Sequence, residues 1–180
     1  MAKRSILPAL LLSFVLCGFV QDEWLLFSPD KKFSIEVPAE PVAKPEDAQA
    51  KKKGLTGKTW ASRMRSEVYM ISYMQLPESI PASRKDLRDQ VFANTRQGLT
   101  RTQQAELKVT SDKPVTVGAF SGREFEAKGI RKEDSAPAFI KARTIIVQDR
   151  VYVIWVMSVS ESPNTSHADR FFNSLKILKP

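Results

Sequence analysis

Cysteine and histidine are almost missing from this chain. One cysteine, Cys17, and one histidine, His167, occur in 180 residues. Cys17 lies in an N-terminal apolar stretch, so a chain cleaved beyond it has no disulfide, no thiol nucleophile and no thiolate metal ligand. Zinc and redox-metal sites need clustered His and Cys, and the sequence has no such cluster. The hydrophobic core alone must then hold the fold in an oxidising compartment. Glycine patterns that cradle phosphate, of the Walker or Rossmann kind, are also lacking. Gly118-Ala119-Phe120-Ser121-Gly122 comes near the G-x-S-x-G nucleophile pattern, but its serine stands one position late. With one histidine far along the chain, a serine triad has no basis, and Gly118 and Gly122 read as turn glycines. No D-x-D-x-D-G calcium loop and no internal repeat occur. No cofactor, no metal and no enzymatic activity are expected.

What is present begins with a leader. Met1-Ala2-Lys3-Arg4 is a positive start, Ile6–Val20 is apolar, and Gln21-Asp22-Glu23 follows at once. That is the layout of a secretory signal peptide over residues 1–20, with cleavage expected between Gly18 and Gln21. The apolar run has 15 residues and includes Pro8, short of the ~20 that span a bilayer. An uncleaved anchor is the alternative. Cys17 stands where a lipoprotein cysteine would, but Phe14, Val15 and Leu16 precede it where small residues are required. A lipid anchor at Cys17 is the minority reading. The protein is expected to be exported, periplasmic or secreted.

Hydrophobic residues make up 42% of the chain and charged residues 27%, which suits one folded domain over residues 21–180. A domain of that size buries roughly 68–70% of its unfolded surface and needs no staple. Loss of Lys3 and Arg4 with the leader takes the formal charge from +8 to about +6. A basic balance admits an anionic surface as partner, but no nucleic-acid motif accompanies it and export argues against one.

The core centres on Ala138–Ser158. Phe139–Val147 and Val151–Met157 flank the polar break Gln148-Asp149-Arg150, a β-hairpin pattern. VYVIWVM is apolar at every position and is expected inside a sheet, covered on both faces. Phe33, Ile35 and Val37 alternate with polar residues as a half-buried strand. Residues 39–57 hold prolines, alanines and Lys51-Lys52-Lys53, and read as a mobile exposed loop. Thr59–Met64 and Val68–Leu76 form a second hairpin. A helix over Ser83–Thr100 takes Ser83 as its N-cap, with Leu87, Val91, Phe92 and Leu99 facing the sheet. Leu107–Val109 and Val115–Val117 bracket a polar turn at Ser111–Pro114, and Arg123–Ile130 reads as a strand with Glu124 and Glu126 solvated. A last helix carries Ala168, Phe171, Phe172 and Leu175, opens on Ser166 with Asp169 three on, and leaves His167 on the surface. Ile177-Leu178 closes the chain as a short strand.

The strand entered by Arg150-Val151-Tyr152, the FSIEVP segment, the Gly122-Arg123-Glu124 strand and the ending Arg170-Phe171-x-x-Ser174-x-x-Ile177 occur in an order that resembles the PsbP-like α/β/α sandwich superfamily. The resemblance spans nearly all of Trp24 to Leu178. It implies an α+β fold, a central, mostly antiparallel sheet with helices on both faces. It implies no shared enzyme activity, since function does not follow fold.

The expected function is therefore a non-catalytic exported interaction or support module of the cell envelope, binding an unidentified protein or envelope component. One alternative is a small-molecule-binding or hydrolytic domain with a cleft between helix and sheet, walled by Tyr69, Tyr73 and Trp155, with Arg143 or Arg123 reading an anionic group. Another is electrostatic docking to an anionic envelope polymer or lipid. The candidate partner-binding residues are Lys51, Lys52, Lys53, Arg63 and Arg65.

Overall fold

The computed structural model describes residues 23–45, 55–101, 105–160 and 163–178. The expected signal peptide, Cys17 and Lys51–Lys53 lie outside the described residues. Among the described residues, ten strands and two helices follow one another: β1 (Leu25–Phe27), β2 (Phe33–Val37), β3 (Val42–Ala43), β4 (Thr56–Met64), β5 (Glu67–Gln75), α1 (Lys85–Thr100), β6 (Ala105–Val117), β7 (Phe120–Arg131), β8 (Pro137–Val147), β9 (Arg150–Ser158), α2 (Thr165–Ser174) and β10 (Lys176–Ile177). They form a seven-stranded sheet in the order β3-β4-β5-β9-β8-β7-β6 and a three-stranded sheet β1-β2-β10. Every described strand pairing is antiparallel. The fold is α+β and dominated by sheet.

The apolar run of β9 takes the middle of the large sheet, as a strand with no polar side should. Its two sides are not equal. Tyr152, Ile154 and Val156 are buried, whereas Val153, Trp155 and Met157 are half-buried. The buried side continues through Tyr69 and Ile71 of β5 and Trp60 of β4 into the main core. Above it lie Phe33, Ile35 and Val37 of β2 and Phe171 and Phe172 of α2, all essentially buried. Aromatic rings meet there edge to face: Tyr69 and Phe171 at 5.2 Å, Phe33 and Tyr152 at 5.5 Å, Phe27 and Trp60 at 5.3 Å. That geometry places the positive ring edge on the negative face of its neighbour. A smaller core holds Phe125, Ala127, Ile140 and Ala142, with Leu99 of α1 and Trp155 packed against it.

Several local expectations are revised. β6 runs unbroken from Ala105 to Val117, so Ser111–Pro114 is strand and not turn. β6 is the sheet edge, where the missing N–H of Pro114 need not remove a ladder bond. A bulge between Val109 and Ser111 absorbs the irregularity. Gly122 is not a turn residue but lies within β7, where a Cβ would stand 2.4 Å from the Thr144 carbonyl oxygen. The expected loop 39–57 is interrupted, because Val42 and Ala43 pair with Ala61 and Trp60 and β4 begins at Thr56. Arg84, not Ser83, precedes α1, and it makes no side-chain cap. Asn164, not Ser166, caps α2, its side chain accepting from the Ser166 and His167 backbone N–H groups. Ser166 already lies inside α2, so its own N–H is one of the orphan donors that the cap satisfies.

The core predicts a sharp contrast. Phe171→Ala, at a position with no exposure, is expected to cost about 3–5 kcal/mol. Leu26→Ala, at a position 73% exposed, is expected to stay within about 0.5 kcal/mol. Urea unfolding of both variants checks this.

Candidate functional site

Among the described residues, inward polar side chains gather around Glu124, Arg150 and Glu67, and buried Arg88 of α1 donates to Ser121 at 3.0 Å. The first cluster centres on Glu124. It stands directly opposite Arg143 across the β7–β8 pairing, and it is buried, against the expectation of a solvated carboxylate. Arg143 donates to Glu124 Oε2 from Nη2 at 2.6 Å and from Nε at 3.0 Å. Its Nη1 donates to the Phe172 carbonyl at 2.7 Å. Lys113 lies 3.3 Å from the other carboxylate oxygen, and Lys141 at 3.9 Å. Burial pushes the Glu124 carboxyl up, but the hydrogen bond from Arg143 and the charges of Arg143 and Lys141 outweigh it and hold the group below the usual glutamate range. Lys141 also reaches Asp169 of α2 at 3.4 Å and lies 5.4 Å from the centre of the Phe172 ring. The cluster thus ties β6, β7 and β8 to the last helix.

The second cluster is built on Arg150. Its guanidinium stacks over the Tyr73 ring at 4.0 Å and bonds Asp30 at 2.5 Å. Asp30 comes from the β1–β2 turn, so this bond joins the small sheet to the hairpin end of the large one. Burial lifts the Tyr152 phenol above its ordinary range, only partly offset by Arg150.

The third cluster surrounds Glu67, which sits at the inward parity of β5 beside Tyr69 and is buried. Tyr69 Oη donates to one carboxylate oxygen at 2.5 Å, and the Asn164 backbone N–H donates to the other at 2.5 Å. Glu67 thereby fixes the start of α2 on the sheet. Arg65, Glu67, Ser160 and His167 line a concavity of about 180 Å³ beside it. His167 is half-buried, its ring 5.9 Å from that of Trp24, rather than a plain surface residue.

The walls imagined for a cleft do not converge. Tyr69 is packed in the main core, Tyr73 lies under Arg150, and Trp155 packs against the smaller core. Arg143 is taken by Glu124, and Arg123 by Asp112 at 2.7 Å. Arg63 lies exposed on β4, and Arg65 lies exposed in the β4–β5 turn with a φ of 53°. The structure thus brings two of the five candidate partner-binding residues to one hairpin end. The described residues hold no group of three His, Cys, Asp or Glu side chains able to share a metal. No described helix is long and apolar enough to cross a membrane.

Sequence reasoning missed Glu67 and Glu124 as inward groups. The signal was parity: each shares its strand side with buried aromatic or aliphatic residues, or faces an arginine across the pairing.

No protein-family profile matches the chain, and no curated protein matches it. Solved structures do. The cyanobacterial PsbP protein (CyanoP) of Synechocystis is similar with a TM-score of 0.58 and 8% identity, over 89% of this chain and 96% of that one. LpqN of Mycobacterium tuberculosis, described as involved in cell envelope biogenesis, is similar with a TM-score of 0.50 and 12% identity, over 81% of this chain and 83% of that one. The fold is PsbP-like.

The Glu124 cluster sets a pH dependence. A carboxyl held below its unfolded value adds stability that is whole above the ordinary glutamate range and is lost as pH falls through the folded value. Glu124→Gln is expected to cost on the order of 3 kcal/mol at pH 7, by leaving Arg143 without its counter-charge. The gap between variant and parent should narrow as denaturation curves are taken to lower pH.

Proposed function

We propose that this PsbP-like fold serves as a non-catalytic interaction or support module of the cell envelope, exported and acting on a protein or envelope partner. One observation carries the reading. Each inward charged group of the three clusters already has a structural partner: Glu67 with Tyr69 and Asn164, Glu124 with Arg143, and Arg150 with Asp30. General acid–base or nucleophilic chemistry needs a group within reach of substrate. These groups are turned toward the fold, and the remaining chemistry belongs to the surface. The envelope role described for LpqN supports the setting.

Recognition is assigned to the β4–β5 hairpin end, where Arg63 and Arg65 are exposed and have no described ion pair. Lys51, Lys52 and Lys53 precede the same hairpin in sequence. Exposed cations of this kind steer an acidic partner and set its salt dependence more than they set tight affinity.

Cross-linking of envelope fractions from the native source, with a photo-reactive residue at Ser66, checks the reading. A discrete protein adduct is expected, and R63E/R65E should reduce its yield about tenfold. Recovery of a retained small molecule by native mass spectrometry, with no adduct, would instead favour a ligand-binding domain.

A further inference from the structure

The β6 edge of the large sheet, four strands across from β5, carries a different charge pattern. Lys108 of β6 and Lys128 of β7 stand directly opposite each other in register, and both are exposed. Like charges directly opposite on a sheet destabilise it. No ion pair among the described residues relieves either lysine, nor Arg101 at the end of α1. All three line one concavity of about 620 Å³, in which Glu106 is the one acidic residue among the described lining residues. Gly129 also lines it, and there the β6 and β7 backbones approach so closely that a Cβ would fall 2.0 Å from the Glu106 carbonyl oxygen. Next to it Ile130 is 55% exposed, paired with exposed Pro137 across β7–β8.

We infer that this edge of the sheet binds an anionic lipid headgroup at a membrane surface, with Arg101, Lys108 and Lys128 facing the phosphate and Ile130 entering the interface. The inference rests on the envelope reading above. Two observations select a lipid over a soluble anion. A phosphate alone needs the cations but has no use for an exposed isoleucine beside them. A concavity of this size, open beside an apolar tip, suits a headgroup held at the water–acyl boundary, where basic and apolar side chains adsorb together. The exposed lysines repel across the strands, Lys128 lying over the Phe139 ring at 5.7 Å, and an anion across the pair would relieve that repulsion.

Vesicle co-sedimentation of the full chain tests this, comparing phosphatidylglycerol/phosphatidylcholine vesicles with pure phosphatidylcholine. The phosphatidylcholine baseline removes any adsorption common to all variants. Neutralising two interfacial cations with K108Q/K128Q should lower the anionic partition coefficient about 30-fold at low salt, and I130S about tenfold. The double variant should unfold at the same or higher urea concentration than the parent, because it relieves the lysine repulsion; this separates lost binding from lost folding. R63Q/R65Q should bind vesicles like the parent. Parental binding by K108Q/K128Q, or an equal loss in R63Q/R65Q, overturns the inference. Undiminished binding by I130S, together with full competition by inorganic polyphosphate, assigns the site to a soluble phosphate and overturns the lipid. A discrete protein adduct at Ser66 alongside failed vesicle binding would leave the interaction-module reading standing and remove only this inference.

Discussion

β9 pairs along its whole length with β5 on one side and β8 on the other. With its backbone committed in both directions, only its side chains can choose what lies above the sheet. Tyr152, Ile154 and Val156 make that choice by presenting an apolar floor, and β2 and α2 cover it with Phe33, Ile35, Phe171 and Phe172. The order of the layers depends on this one strand. Take it away and the sheet is two separate pieces, β3-β4-β5 and β8-β7-β6, with no shared floor for the small sheet to rest on.

The charged clusters answer a problem that the core creates. An ion withdrawn from water costs several kcal/mol unless a partner and hydrogen bonds replace the lost solvent. Glu124 meets this with a two-pronged arginine contact and two lysines, and Glu67 meets it with a phenol and a backbone N–H. Each solution joins parts of the chain that the hydrophobic core brings close but does not orient. Arg143 reaches the carbonyl of Phe172 near the end of α2, and Glu67 holds the residue that caps its start. The last helix is therefore pinned at both ends by charge and along its middle by aromatic packing.

Much of this was legible from residue order. The β8–β9 hairpin, the interior strand β5 and the helix carrying Phe171 and Phe172 followed from apolar runs and their spacing, and the PsbP-like fold from the resemblance in motif order. What failed was information that exists only between strands. Pro114 and the polar run before it look like a turn until β6 is known to be an edge, where proline is tolerated. Glu124 looks solvated until Arg143 is placed across from it. Val42 and Ala43 look like loop because two residues carry no period of their own and become strand only through Ala61 and Trp60. The helix starts were misplaced for a local reason: Ser83 and Ser166 match a capping pattern, but Asn164 competes better for α2, and α1 begins without a side-chain cap.

The sheet order also fixes when the structure can close during synthesis. β4 and β5 form a local hairpin, yet the other side of β5 stays unpaired until β9 arrives, and Ser72 meets Val153 only 81 residues later. Through that interval the chain carries an apolar strand with a free row of donors and acceptors, the form in which strands join the wrong neighbour. A nascent chain of this topology is most exposed to mispairing just before β9 is made.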